Sequence, residues 1–400
     1  MRKVLCLGLI FLLLSGCSNH INNTDNSNNN QVNGYRGLAS TSGSTMVITD
    51  NGDLWLWGNN DYGQLGNGTF QKTDIPQKIM ENVKIAEINT FATVIQENGK
   101  LWVWGNNQSG QLGNGSTENR NTPQKIMDNI KSVKNGGSYT LALKENGELW
   151  AWGNNKFGQL GIDTNQDSTV PVKVMDKVKT ISIGGTTSYA IKENGELWAW
   201  GEYSFGEQEV SSNKPIKVMD FVEKVFGFGG DVTYAINKTG ELWAWGFNEL
   251  GEMGDGTTDS SYVPKKIMDN VQEAFSTYLV SMALKENGEL WVWGGRTQDD
   301  SAVAISKPVK VLDNVKMICQ NSEGLVIKED GELMDCVIPP LDGTVNISYR
   351  PKKIMDNIKI AIKEYKFILA VTEDNKLLIW DNKKLIPAEI KLWEEKAVTY

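Results

Sequence analysis

Lys192-Glu193-Asn194-Gly195-Glu196-Leu197-Trp198-Ala199-Trp200-Gly201 is the phrase on which the fold turns, because the chain writes it, with variation, eight times. Close copies end in Trp57-Gly58, Trp104-Gly105, Trp152-Gly153, Trp245-Gly246 and Trp293-Gly294. The leucine of each unit falls at Leu54, Leu101, Leu149, Leu197, Leu242, Leu290, Leu333 and Leu377, in steps of 43 to 48 residues. A period in this range marks a repeat architecture, in which one supersecondary unit is stacked or arranged around an axis. The period runs from about Arg36 towards the C-terminus, so residues 34–400 are expected to form one domain rather than the two or three that 400 residues would otherwise suggest.

Within a unit, Val178–Ile183 alternates and is rich in β-branched residues, which predicts a first strand. Gly184-Gly185 ends it, and Ser188–Lys192 predicts a second strand. Asn194-Gly195 predicts a two-residue hairpin with both turn residues at positive φ. Leu197–Trp200 is the third strand, and a Gly-rich loop leads to a fourth that starts after a proline, as in Pro171–Met175. Four short antiparallel strands per repeat make one propeller blade. The expected fold is an all-β propeller of eight four-stranded blades, with seven as the alternative.

Thirteen of the 14 tryptophans sit at the two Trp positions of the third strand, and only Trp393 does not. Residues two apart share a strand face, so Trp198 and Trp200 point one way and Leu197 and Ala199 the other. Both faces are apolar, as a sheet packed between two neighbours requires. Burying one Trp yields roughly 4–6 kcal/mol gross, from 150–250 Å² at about 25 cal/mol/Å². These tryptophans are therefore expected in the core rather than on a sugar-binding surface.

The loop Gly-Asn-Asn-x-x-Gly-Gln-Leu-Gly-x-Gly, at Gly58–Gly68 and Gly105–Gly115, resembles the regulator of chromosome condensation repeat, over about residues 36 to 395. That resemblance implies a β-propeller, typically of seven blades. This chain departs from the pattern in three ways. It has eight units, with Lys396–Tyr400 similar to the start of a ninth first strand. Tyr139, Tyr189 and Tyr234 stand where the family often has a histidine. Units four, six and seven have lost the loop or the Trp strand: Gly206-Glu207-Gln208, Gly295–Asp300 and Met334-Asp335-Cys336 followed by Pro339-Pro340.

The namesake of that family exchanges guanine nucleotide on a nuclear GTPase and sits on chromatin. Neither role suits an acidic, exported chain. A secreted bacterial member that inhibits β-lactamases by protein–protein contact resembles it better in setting.

The N-terminus carries Arg2 and Lys3, an apolar run from Val4 to Leu14, and then Leu14-Ser15-Gly16-Cys17. The run is too short to span a bilayer. The sequence resembles a bacterial lipobox, which implies cleavage of residues 1–16 and lipidation of Cys17. An ordinary secretory signal with an incidental cysteine is the alternative. Residues 17–33 are dominated by Asn and too polar to build a core, so a disordered tether is expected, with a mean reach of roughly 20–25 Å. The expected location is extracytoplasmic, anchored to a bacterial membrane through Cys17 only.

A net charge of −9 argues against a nucleic-acid partner. The one histidine, His20, lies outside the repeats, so the domain holds no His-based nucleophile pair or His-ligated metal. No catalytic residue, metal site or cofactor is assigned, and the chain is expected to be a monomer. Gly63–Gly68 is not followed by a Lys-Ser/Thr or a helix pattern and is expected to be a structural turn, not a phosphate loop. Asp163–Ser168 has calcium-loop oxygens at positions 1, 3 and 5. It has Ser168 where Gly belongs and Val174 where Glu belongs, so a polar loop is expected. Cys319 and Cys336 fall on the first and third strands of one unit, about 10 Å apart and beyond disulfide reach, so free thiols are expected.

Recognition is expected at loop aromatics between third and fourth strands: Tyr62, Phe157, Tyr203, Phe205, Phe247 and Tyr262, with Arg296 in the irregular sixth unit. The alternative is that Tyr62, Phe157 and Phe205 share one repeat position and cap their blades. The expected function is a non-catalytic module that binds a protein or an envelope component. An inhibitor of a secreted enzyme is a special case, and a carboxylate-based envelope enzyme the remaining alternative.

Overall fold

A computed structural model describes residues 34–41, 43–205, 208–228, 232–276, 280–298, 301–319, 324–336, 351–364, 367–381 and 387–392. Cys17, the tether and Lys396–Tyr400 lie outside the described residues. The described chain forms eight four-stranded antiparallel sheets in which sequence neighbours pair throughout. The blades span residues 35–80, 83–127, 130–175, 178–219, 222–268, 271–312, 315–355 and 358–390. This is an eight-bladed propeller, not the seven-bladed alternative. First strands of adjacent blades lie side by side around the axis, and fourth strands form the outer edge.

The ring closes without a shared strand. Tyr35, Leu38, Val47 and Trp57 of blade 1 pack directly on Ile360, Ile362, Leu369 and Ile379 of blade 8. The other blade junctions are built the same way, one apolar core each. Trp200 belongs to the core between blades 3 and 4, while Leu197 and Ala199 belong to the core between blades 4 and 5. The face assignment made from residue spacing therefore holds. The two Trp positions differ in depth: the second (Trp104, Trp152, Trp200, Trp293, Trp380) is fully buried, whereas the first is half-buried.

Two local expectations are corrected. The hairpin between strands two and three is a three-residue loop, Glu193-Asn194-Gly195. Only Gly195 has positive φ (87°), and its N–H bonds the Lys192 carbonyl at 2.9 Å. Asn194 instead accepts the Glu196 N–H through its side chain at 3.1 Å, which stabilises a type I turn followed by a left-handed glycine. The fourth strand starts before its proline: it spans Ser168–Met175, and Pro171 lies at a register shift between the pairs Ala151↔Val172 and Gly153↔Ser168. A proline is tolerated there because the strand is an edge, and it discourages pairing with another chain.

The linkers between blades carry a signal that the hairpins obscured. Asn82, Asn129, Asn270, Asn314 and Asn357 all sit in the left-handed region (φ 57–60°), joined by Lys177 (59°) and Phe221 (62°). Asn is the non-glycine residue best suited to that conformation. The next residue then donates its N–H to the turn glycine of the preceding blade, from Val83 to Gly52 through Ile358 to Gly331, at 2.8–3.0 Å. Each linker is thereby pinned to the hairpin it has just passed.

Candidate functional site at the loop end of the ring

Strand direction sorts the connections. Hairpins between strands two and three, and the linkers, lie at one end of the ring (the turn end). Loops between strands three and four lie at the other (the loop end), where the aromatics singled out from sequence are found, although Tyr262 lies on the start of the fourth strand of blade 5 (Ser261–Met268) and not in the loop. In blades 1, 2, 3 and 5 this connection is built to one plan. Asn60, Asn107, Asn155 and Asn248 are fully buried. Asn60 receives the Leu65 N–H at 2.9 Å and donates to the Thr69 and Gln71 carbonyls at 3.0 Å, and the other three repeat this pattern.

The Gly-Gln-Leu-Gly segment also serves the next blade. Trp104, Trp152, Trp200 and Trp293 donate their indole N–H to the carbonyls of Gln64, Gln111, Gln159 and Glu252 at 2.7–2.9 Å. A Cβ on Gly66, Gly113, Gly161 or Gly254 would stand 2.5–2.8 Å from that same indole nitrogen, so only glycine fits. The segment is a structural clasp, as expected, and not a phosphate loop. Buried tyrosines make a second link: Tyr139 accepts from Ser188 at 3.1 Å, Tyr189 bonds Thr233 at 2.8 Å and Tyr234 bonds Ser281 at 2.6 Å. Burial pushes the Tyr189 phenol up to about 12, so these are neutral hydroxyls.

The oxygens of the calcium-like loop are engaged by protein. Asp163 pairs with Lys214 at 2.8 Å, and Asp167 accepts the Asn155 N–H at 2.7 Å. Cys319 and Cys336 are both buried and free, in the cores on opposite sides of blade 7.

Blades 4 and 6 break the plan identically. The fourteen-residue loop that separates Gly58 from its strand partner Thr73 is replaced by ten residues between Gly201 and Ser212 and between Gly294 and Ile305. Residues 202–205 pair with 208–211 and residues 295–298 with 301–304, forming β-ribbons described as far as Phe205↔Gln208 and Gln298↔Ser301. The two ribbons continue the outer half of their blades at the loop end and flank blade 5. Blade 7, next to the blade 6 ribbon, has Cys336 in the buried Trp position, whereas blade 5, next to the blade 4 ribbon, keeps a buried Trp245 there.

The predicted recognition residues divide accordingly. Tyr62 is half-buried on blade 1, apart from the rest. Phe157 (41% exposed), Phe247 (half-buried) and Tyr262 (40% exposed) lie on blades 3 and 5, on either side of the blade 4 ribbon or beside it. The backbones of Tyr203 and Phe205 belong to the blade 4 ribbon and that of Arg296 to the blade 6 ribbon, and their side chains lie outside the described atoms. Tyr62 and Phe157 do share a position, each N–H bonding a Gln side chain two residues on (Gln64, Gln159) at 3.0 Å. Phe205 does not share it, because the ribbon has replaced the loop that would define it. The ribbons themselves escaped the sequence reading. Their sequence signal is the shortened repeat steps after Leu197 and Leu290 combined with alternating runs such as Ser301-Ala-Val-Ala-Ile305.

Fold and site together define a β-propeller with two modified adjacent-but-one blades. The model of the RCC1-like domain matches residues 16–276 and, in an overlapping placement, 83–336. The chain belongs to the RCC1-like domain family. Among individual proteins, it is 44% identical over 45 residues to the Protein RCC2 homolog of Xenopus laevis, a stretch that covers 11% of this chain and 9% of the frog protein. Among solved structures, human WBSCR16 superposes with a TM-score of 0.57 at 20% identity, covering 70% of this chain and 82% of that one. Yeast RCC1 (Prp20), solved bound to Kap60, gives 0.57 at 18% identity, covering 73% and 77%. At these identities the structural likeness concerns the fold.

Proposed function

We propose that this chain is a lipid-anchored, extracytoplasmic propeller that binds a protein partner, without catalysis, through the loop end of blades 3 to 6. The observation that carries this reading is the pair of β-ribbons. Both replace a clasp that stabilises the ring, so the scaffold alone does not explain them. Repeat proteins vary on the face they use for binding. Yeast RCC1 was solved with Kap60 bound, and the Saccharomyces cerevisiae Prp20p structure is described with its binding to Gsp1p and histones, so protein recognition is at home on this fold.

Polarity supports an anchor at the other end. Gly34, where the described chain begins, lies against Asp50 and Asn375, both in strand-two to strand-three turns, and its carbonyl accepts the Asp50 N–H at 2.8 Å. A tether from a lipidated Cys17 would therefore enter at the turn end and leave the ribbons facing away from the bilayer. Absence of histidine from residues 34–400 counts against the usual general base. Inhibition of a secreted enzyme is a special case of the same reading.

The test is affinity capture from envelope and culture-fluid extracts with the full chain. A variant in which residues 202–211 and 295–304 are both exchanged for the regular loop 106–119 should remain folded and lose its partner. A partner retained by that variant, or substrate turnover by the purified chain, contradicts the reading. Incorporation of labelled palmitate, lost in Cys17→Ala, tests the anchor.

A further inference from the structure

At the turn end, every first strand contains a β-bulge at the same place. The ladder to the second strand skips one residue in all eight blades: Arg36, Lys84, Lys131, Lys179, Glu223, Gln272, Lys316 and Lys359. A bulge adds an unpaired residue and re-aims its side chain. First strands line the axis, so these eight residues surround the mouth of the central channel. Their contacts run around the ring: Arg36 donates to the Val83 carbonyl beside Lys84, Lys131 Nζ reaches the Lys179 carbonyl at 3.1 Å, and Lys179 pairs with Glu223 at 2.6 Å.

Six of the eight are cations, and the six are contiguous, running through blades 7, 8, 1, 2, 3 and 4. This happens in a chain of net charge −9. On the outer edge of this end the fourth-strand lysines are matched in place: Lys173, Lys217, Lys266, Lys310 and Lys353 each bridge two carboxylates. In the arc, Arg36 pairs with Glu97 and Lys179 with Glu223, while Lys84, Lys316 and Lys359 have no ion pair among the described residues. Like charges held side by side repel unless a counter-charge joins them.

We propose that this channel mouth is a binding site for a compact multivalent oxyanion, of the oligophosphate type, free in solution rather than displayed on a lipid surface. The surroundings set the size. Around the arc the turns carry Glu145, Glu193, Glu286, Glu329 and Glu373, together with Glu97, which pairs with Arg36. A broad anionic surface would meet those carboxylates together with the lysines, whereas a compact anion sits inside them. Lysine ammonium groups on flexible stems suit such a ligand, since they act as point charges without a fixed fork.

Inorganic tripolyphosphate is the probe, titrated calorimetrically into the full chain in non-ionic detergent. Saturable binding is expected. It should weaken at least ~10-fold between about 50 and 500 mM salt, and by a similar factor in the combined Lys84→Glu, Lys316→Glu, Lys359→Glu variant. The corresponding Gln variant, which removes charge without reversing it, should lose affinity to a smaller degree and keeps the test decisive if reversal unfolds the ring. Reversal of Lys72, Lys156 and Lys307, exposed lysines towards the loop end, should leave binding unchanged. The proposal is overturned if the unaltered chain does not bind tripolyphosphate, if the arc variants bind as tightly as it does, or if only phosphatidylglycerol vesicles are bound.

Discussion

The Trp104 indole nitrogen donates to the Gln64 carbonyl across the junction of blades 1 and 2 at 2.9 Å, with Gly66 pressed against the same nitrogen. One short loop thus closes its own blade, through Asn60, and grips the next. The chain repeats this coupling at three further junctions. It makes the loop's glycines unequal, and that inequality is measurable.

Gly66 (φ 71°) and Gly68 (φ 85°) both have left-handed backbones, but a Cβ at Gly66 would collide with Trp104, whereas one at Gly68 would meet nothing within 4 Å. Gly68→Ala should therefore cost about 1 kcal/mol, the conformational term alone, and Gly66→Ala about 3 kcal/mol or more. Urea unfolding followed by Trp fluorescence resolves the difference. Equal costs would mean that the clasp contributes nothing.

Phe221 is strained where five of the seven linkers have Asn. It holds φ at 62° and is 70% exposed, so its ring gains little from packing. Phe221→Asn should stabilise the protein by about 0.5–1 kcal/mol, and the same exchange at a right-handed surface position should not. Thermal unfolding of the single variant is sufficient to check this.

Acid should weaken the rim in a defined window. Hydrogen bonding from Lys173, helped by Asn146, holds Glu148 down at about 2, and Lys217 does the same for Glu196. Glu241 and Glu289 are lowered by the equivalent Lys266 and Lys310, and Glu332 by Lys328 and then Lys353. A carboxylate depressed in the folded state contributes stability that is complete above its unfolded value of about 4.3 and is lost as pH falls towards 2. Stability should accordingly decline between about pH 4.5 and 2. Lys173→Met with Lys217→Met should flatten that limb, as should about 1 M salt, because these pairs are solvent-screened. Unfolding midpoints measured across that range provide the check.

How much of this was legible from the residues depended on what kept a fixed spacing. Leu197, Trp198, Ala199 and Trp200 declared strand, faces and neighbours, because a two-residue alternation repeated at a constant period has one economical geometry. Asn194-Gly195 declared a turn but not its type, since the Asn uses its side chain rather than a left-handed backbone. Asn82 and its equivalents passed unnoticed because one Asn before an apolar residue has no local signature until the blades are assembled. The ribbons and the cationic mouth were hidden for a related reason. Phe205 meets Gln208 by pairing, and Arg36 becomes the neighbour of Lys359 only when the first and last blades touch.

Recognition by the ribbons is the claim on which the functional account depends, and photo-crosslinking tests it most directly. A photoreactive residue placed singly at Phe205, Arg296 or, as a control, Phe70 of blade 1 would be activated in envelope extract, and adducts compared by mass. The account predicts one shared adduct from Phe205 and Arg296 that is missing at Phe70. Unrelated adducts from the two ribbons, or the same adduct from all three positions, would contradict it.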